Sequence, residues 1–321
     1  MGLSGGPLAC QVSACPLSPG LASLERAFRE RDHHARRAYS QAMILVTAAT
    51  GNVGRELVPQ LLNAGQRVRA GTRHPQGASF PSGAHAVHFD FSDEASVLEA
   101  ATGVQGVYLI VPETVDTAGL TRALSVMKEA GVEHVVLQSG FGAENNDNPL
   151  GEAEDAVRAS GLNWTVLRPN WFMQNYNQMF RRGIRDRHEF AEPAGDHKTS
   201  FIDTRDIAAA AVVVLTQPGH DRREYPLTGP HSIDRHAVAA ALSSALGHTI
   251  SYRPVDDDGF VDFLVSTGES DEEEARGIAS IYPPIRADDT APTTPDLNTL
   301  TGSTGHTIED FAQHYRRDWQ E

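Results

Sequence analysis

Cysteine is nearly absent: Cys10 and Cys15 are the only two in 321 residues, and both lie in the first segment. They cannot staple the body of the chain, which suits a reducing compartment, and the expected location is the cytoplasm. No apolar run approaches the length of a membrane-spanning helix, so no membrane partner is expected. Basic charge is scarce, with 27 Lys and Arg against 42 Asp and Glu and a net charge of −15. A nucleic-acid backbone would be repelled by that balance, so no nucleic-acid partner is expected. The 14 histidines form no metal-ligand spacing, and no metal is expected. There is no internal repeat. Tyr-x-x-x-Lys, the pair that would protonate an alkoxide formed from a ketone, occurs nowhere.

What is present is an ordinary globular composition, 40% hydrophobic and 21% charged, in a chain long enough for one large domain or a domain with a smaller lobe. Residues 1–42 stand apart. Met1 to Gly20 is rich in Gly, Pro and Ser, Leu21 to Gln41 reads as one Arg-rich helix, and the whole segment reads as a disordered extension or an early start ahead of Met43.

From Met43 onward strand and helix patterns alternate. Ile44-Leu45-Val46-Thr47 reads as a short buried strand. Ala48-Ala49-Thr50-Gly51-Asn52 then forms a tight small-residue turn, and Val53, Leu57 and Leu61 recur at helical spacing until Gly65. Strand, glycine turn and helix form a phosphate-binding unit, because backbone N–H groups and the helix N-terminus converge on one anion. Further strands are expected at Arg67–Thr72, Ala86–Phe89, Val107–Val111, His134–Gln138, Trp164–Leu167 and Arg223–Leu227, with helices between them and Ser92 capping the one after the third strand. Such alternation predicts an α/β fold with a doubly wound parallel sheet and a ligand crevice at the carboxyl ends of its strands. A helix is expected over Asn170–Phe180. Asp203-Thr204 should cap another and Thr307 a last one, and residues 236–321 read as a mostly helical lobe. The expected division is 43–235 for the dinucleotide domain, with 170–200 contributing to the substrate pocket, and 236–321 for the lobe.

The crevice residues suggest a chemistry. Arg73 ends the second strand, where an acid would accept the 2′-hydroxyl of NAD; a guanidinium suits the 2′-phosphate of NADP(H) instead, or is simply an exposed loop arginine. Asp90 and Phe91 either flank the adenine or form a turn. Val111 lines the nicotinamide ribose. Ser139, before Gly140 and Phe141, is placed to bond a substrate carbonyl or the nicotinamide carboxamide. It is no hydrolase nucleophile, since Leu137 and Phe141 stand where the elbow needs glycines. Pro169 and Asn170 follow the sixth strand. Trp171, Phe172, Gln174, Asn175 and Tyr176 make either an aromatic, amide-rich substrate wall or ordinary core.

These segments also carry a resemblance. Thr47–Gly54, Leu167–Asn175, Ser200–Ala208 and Tyr225–Pro230 resemble the NmrA-like branch of atypical short-chain dehydrogenase/reductases, nearest to festuclavine and agroclavine dehydrogenases and to quinone and triphenylmethane reductases. The likeness spans roughly residues 43–320. It implies a Rossmann-type core, NADP(H), and cofactor contacts at Thr47, Ala48, Thr50, Gly51, Asn52, Val53 and Arg73. It extends them to Asp90, Phe91, Val111, Ser139 and Pro169. One departure stands out: Ala48 replaces the first glycine of the family turn. The expected activity is hydride transfer from NADPH to a small planar iminium, conjugated C=C or quinone in secondary metabolism. Ser139 and Asn170 would act at the reacting end, Phe141 and Trp171–Tyr176 around the substrate, in a monomer or homodimer. A cofactor-sensing regulator of a protein partner and a non-redox isomerase or lyase are the alternatives.

Overall fold

The structure, a computed structural model, describes residues 41–145 and 148–320. The helix expected from Leu21 and both cysteines lie outside them. Seven parallel strands form one sheet in the order β3-β2-β1-β4-β5-β6-β8. They are β1 (Met43–Val46), β2 (Arg67–Thr72), β3 (Ala84–His88), β4 (Gly106–Ile110), β5 (His134–Gln138), β6 (Asn163–Pro169) and β8 (Arg223–Leu227). The helices between them are α1 (Asn52–Asn63), α2 (Glu94–Ala101), α3 (Thr117–Glu129), α4 (Pro149–Ala159) and α5 (Thr204–Thr216).

Strand alternation assigns the faces. Ile44 and Val46 pack with Val53, Leu57 and Leu61 of α1 and with Ile207 and Ala211 of α5. Met43 and Leu45, one residue out of phase, pack with Val97, Leu120, Leu124 and Val157 from α2, α3 and α4. Helices therefore cover both faces, as parallel crossovers require, and the fold is the expected Rossmann-type α/β sheet.

The chain leaves the sheet after Pro169. No helix runs over Asn170–Phe180, which corrects that expectation. Phe172 is extended and bridges Ile202, followed by a short 3-10 turn at Met173–Asn175. The helix is pre-empted by other partners: Met173 N donates to Ile202 O, and the Gln174 side chain bonds Asp203 and Thr204 N. Beyond it, β7 (Glu189–Glu192) pairs in parallel with β9 (Ser251–Pro254). A third core joins residues of 173–201 to α6 (Arg235–Leu246), α7 (Asp257–Thr267), α8 (Glu272–Ala279), α9 (Pro283–Arg286) and α11 (Ile308–His314); α10 (Asp296–Thr301) packs on α5 instead. Residues 236–320 are thus mostly helical, with β9 the exception. The helix after β3 is capped by Asp93 rather than Ser92, whereas Asp203 and Thr307 cap as expected.

Candidate active site

Parallel strands put Ala48–Gly51, Arg73, Asp90-Phe91, Val111, Ser139 and Asn170 after the carboxyl ends of β1, β2, β3, β4, β5 and β6, on one edge of the sheet. The chain bends sharply at β1. Gly51 N donates to Ala48 O at 2.9 Å, and Ala49 N reaches Gly71 O at 3.1 Å. A Cβ on Gly54 would lie 2.5 Å from Ala48 O and 2.7 Å from Ala49 Cα, so only glycine lets the helix approach the turn this closely. Ala48 itself sits at φ +48°, in the left-handed region where its methyl costs about 1–2 kcal/mol. The turn keeps the shape glycine would give and carries strain instead.

The start of α1 is chemically unlike the start of every other described helix of eight residues or more. Asp93, Asp116, Asn148, Asp203, Asp234, Asp256 and Asp271 each accept backbone N–H bonds at their helices' starts. At α1 the N-cap is Gly51, no side chain caps it, and the first turn holds no acid. Its first N–H groups and the positive end of its dipole are left for an external anion. Thr50 is exposed, and Gly51 and Asn52 are half-buried beside it. Val53 is buried and anchors the turn. Arg73 is exposed, and its guanidinium forms no ion pair or side-chain hydrogen bond among the described residues. An open helix start, a cradle that a Cβ would fill and an available guanidinium together fit a phosphorylated dinucleotide.

Several side chains are already committed elsewhere, which corrects the roles expected of them. Thr47 Oγ1 donates to Tyr108 O and accepts from Ile110 N, so its hydroxyl stitches β1 to β4. Asp90 Oδ1 accepts from the backbone N and hydroxyl of Ser92, and these bonds hold its carboxyl below the usual range. It is a turn residue, while Phe91 packs edge-on against Phe89. Asn170 donates to Ser200 Oγ and Thr290 O and accepts from Trp171 N, at 2% exposure. Its carboxamide ties the end of β6 to Ser200 and Thr290 and is bonded at both ends within the protein. Gln174 is buried on Asp203 and Thr204. Tyr176 is core: its hydroxyl donates to Glu192 Oε1 at 2.8 Å, within a buried cluster that includes Arg235 and Tyr282. Trp171, Phe172, Asn175 and Phe141 remain half-exposed, as does Val111, and Trp171 leans on Tyr282 at 4.9 Å. Pro169 is buried and its carbonyl accepts from Phe141 N.

Ser139 is held by groups the sequence reading did not single out. Its hydroxyl donates to Glu154 Oε1 at 2.6 Å. Glu154, fully buried, also takes Arg168 Nε at 2.8 Å, Arg168 Nη2 at 2.6 Å and Arg158 Nη2 at 2.7 Å. Burial opposes its charge, but the bonds from Arg168 and Ser139 and the charge of Arg158 outweigh that and keep it ionised. The signal was available: Arg168 ends an apolar strand, and Glu154 sits between Ala153 and Val157 on the buried face of α4. Charges at both positions imply an internal pair. Gln178, too, was passed over; its Nε2 donates to Asn52 Oδ1 at 2.6 Å.

Comparison with known proteins agrees with this geometry. A family model described as NAD(P)H-binding matches residues 48–218. The chain is 34% identical to NAD(P)H azoreductase of Xenophilus azovorans over 282 residues, 84% of this chain and 97% of that one. It is 28% identical to quinone oxidoreductase 2 of Escherichia coli over 71% of this chain and 83% of the relative. Among solved structures, Citrobacter sp. triphenylmethane reductase in complex with NADP(H) superposes with a TM-score of 0.75 at 25% identity, covering 84% of this chain and 99% of that one. The chain belongs to the NAD(P)H-binding family and is an NAD(P)H-dependent oxidoreductase.

Proposed function

We propose that this reductase acts on small planar conjugated electrophiles: quinones, azo compounds and cyclic iminium ions. The observation that carries this is the character of the reacting end. Beside β5 and β6 the side chains still presented are the aromatic Phe141, Trp171 and Phe172 with Asn175 among them, while Ser139 and Asn170 are already bonded. Such a wall favours a flat π-system and supplies no strong acid to an alkoxide. Acceptors whose reduced form needs little protonation at the reacting atom suit it.

The residues divide the work. The free N–H groups at the start of α1 and the Asn52 carboxamide hold the pyrophosphate, and Arg73 takes the 2′-phosphate. Val111 and Pro169 shape the groove toward the nicotinamide. The Ser139 hydroxyl already donates its hydrogen bond to Glu154, so it has only acceptor lone pairs left to offer. It serves as an acceptor for a carboxamide N–H and cannot donate to a substrate carbonyl. When bound, NADPH supplies the hydride. The protein contributes proximity, alignment between aromatic faces and exclusion of water.

The test is anaerobic turnover with NADPH and a panel of a benzoquinone, an azo dye, a cyclic iminium ion and a simple ketone. Oxidation of one NADPH per two-electron reduction, with the ketone inert, is expected. Turnover of the ketone alone, or product without NADPH oxidation, would overturn the proposal.

A further inference from the structure

Asn52, Glu56 and Gln60 lie four residues apart on one face of α1, and each is bound by a segment distant in sequence. Gln178 Nε2 donates to Asn52 Oδ1 at 2.6 Å, Tyr315 OH to Glu56 Oε1 at 3.1 Å, and Gln60 Nε2 to Arg205 O at 3.1 Å. Three polar contacts at helical spacing fasten the phosphate-binding helix to the chain beyond β6. Two of them brace residues that need no ligand. The contact to Asn52 is different, because Asn52 is the first residue of α1, where the helix is uncapped.

A carboxamide has one acceptor end and one donor end, and only the donor end suits an anion. Two facing carboxamides can pair in either sense. With Asn52 Oδ1 accepting from Gln178, its NH₂ is left without a partner among the described residues. In the opposite sense the oxygen would be left facing the helix start, where it would repel a phosphate. We propose that Gln178 is a positioning residue for cofactor binding: by holding Asn52 Oδ1 it fixes the Asn52 NH₂ as a donor to the pyrophosphate. The inference rests on the reading that the start of α1 receives the pyrophosphate.

A double-mutant cycle on equilibrium binding tests it. Gln178 is exposed, so Gln178→Ala should fold, and thermal unfolding checks this; Gln178→Met, which keeps the length and loses the donor, is the second variant. Both should weaken NADPH binding about 3- to 10-fold, the worth of one oriented hydrogen bond. In an Asn52→Ala background the same substitutions should weaken it no further, because their target is gone. Adenosine 2′-monophosphate, which lacks the pyrophosphate, should bind all variants alike. Unchanged NADPH affinity in Gln178→Ala, or an equal loss in the Asn52→Ala background, would overturn the role of Gln178. No NADPH binding by the unsubstituted protein would overturn the cofactor site beneath it.

Discussion

Helices α1 and α5 pack side by side on one face of the sheet, and their starts are built in opposite ways. At α5, Asp203 caps the helix, bonds Arg205 N at 2.9 Å and takes the Arg205 guanidinium and Gln174 Nε2 as well. The backbone N–H groups of Thr204, Arg205 and Asp206 there each have a protein acceptor. At α1 the cap is a glycine, the turn before it is strained at Ala48, and Gly54 leaves room for backbone to come close. One terminus has been closed for stability. The other forgoes a cap worth about 1 kcal/mol and keeps its N–H groups for a ligand. The contrast supports the proposed cofactor site at α1 without reference to any relative.

Substitutions at the two ends should therefore fail differently. Asp203→Ala strips a buried acceptor from Arg205, Gln174 and a helix start, and should cost about 3 kcal/mol in denaturant unfolding while leaving the NADPH-to-NADH preference unchanged. Gly54→Ala should cost about 1–3 kcal/mol through its clash with Ala48 and Ala49, and should also remove measurable NADPH binding in calorimetry. A variant that bound normally would show that the turn needs no glycine there. Arg73→Ala should leave stability alone and weaken NADPH about 10- to 100-fold, the value of charge-assisted bonds, with little change for NADH. Burial opposes the charge of Asp203, yet bonds from Arg205 and Gln174 hold its carboxyl below the ordinary 3.8. Its stabilisation is complete above that ordinary value and is lost as pH falls through the folded-state value; Asp203→Asn should flatten this part of an acid unfolding curve. Smallest is Ala48→Gly, where relief of the left-handed strain exceeds the added chain entropy, for a net gain of about 0.5–1 kcal/mol.

The same contrast explains what could be read from the sequence. Strands β2, β5 and β8 fall where they were expected; β5 is central and buried on both faces, which leaves little choice of residue, whereas β8 is an edge strand with Arg223 and Glu224 exposed. The tight turn between β1 and α1 was legible because glycine spacing reports backbone geometry directly. The segment after Pro169 was not. Its aromatics and amides have helical spacing, but Gln174 and Asn170 are bonded to Asp203, Ser200 and Thr290, residues tens to more than a hundred positions away. Side-chain inventories told which residues could bond, not which were already bonded, so Asn170 and Tyr176 read as site residues when they are internal locks. Glu154 and Gln178 were missed for the same reason: each matters through a partner on another element. The four-residue strands β7 and β9 carry too few residues for a period to show.

The central claim is that the open start of α1, with Arg73 beside it, holds NADP(H). Calorimetric titration of the unsubstituted protein and Arg73→Ala with NADPH, NADP⁺, NADH and NAD⁺ tests it most directly. Tight binding of both phosphorylated forms and weak binding of the others, with the difference erased in Arg73→Ala, is the predicted result. Equal binding of all four, or an equal loss for all four in the variant, would contradict it.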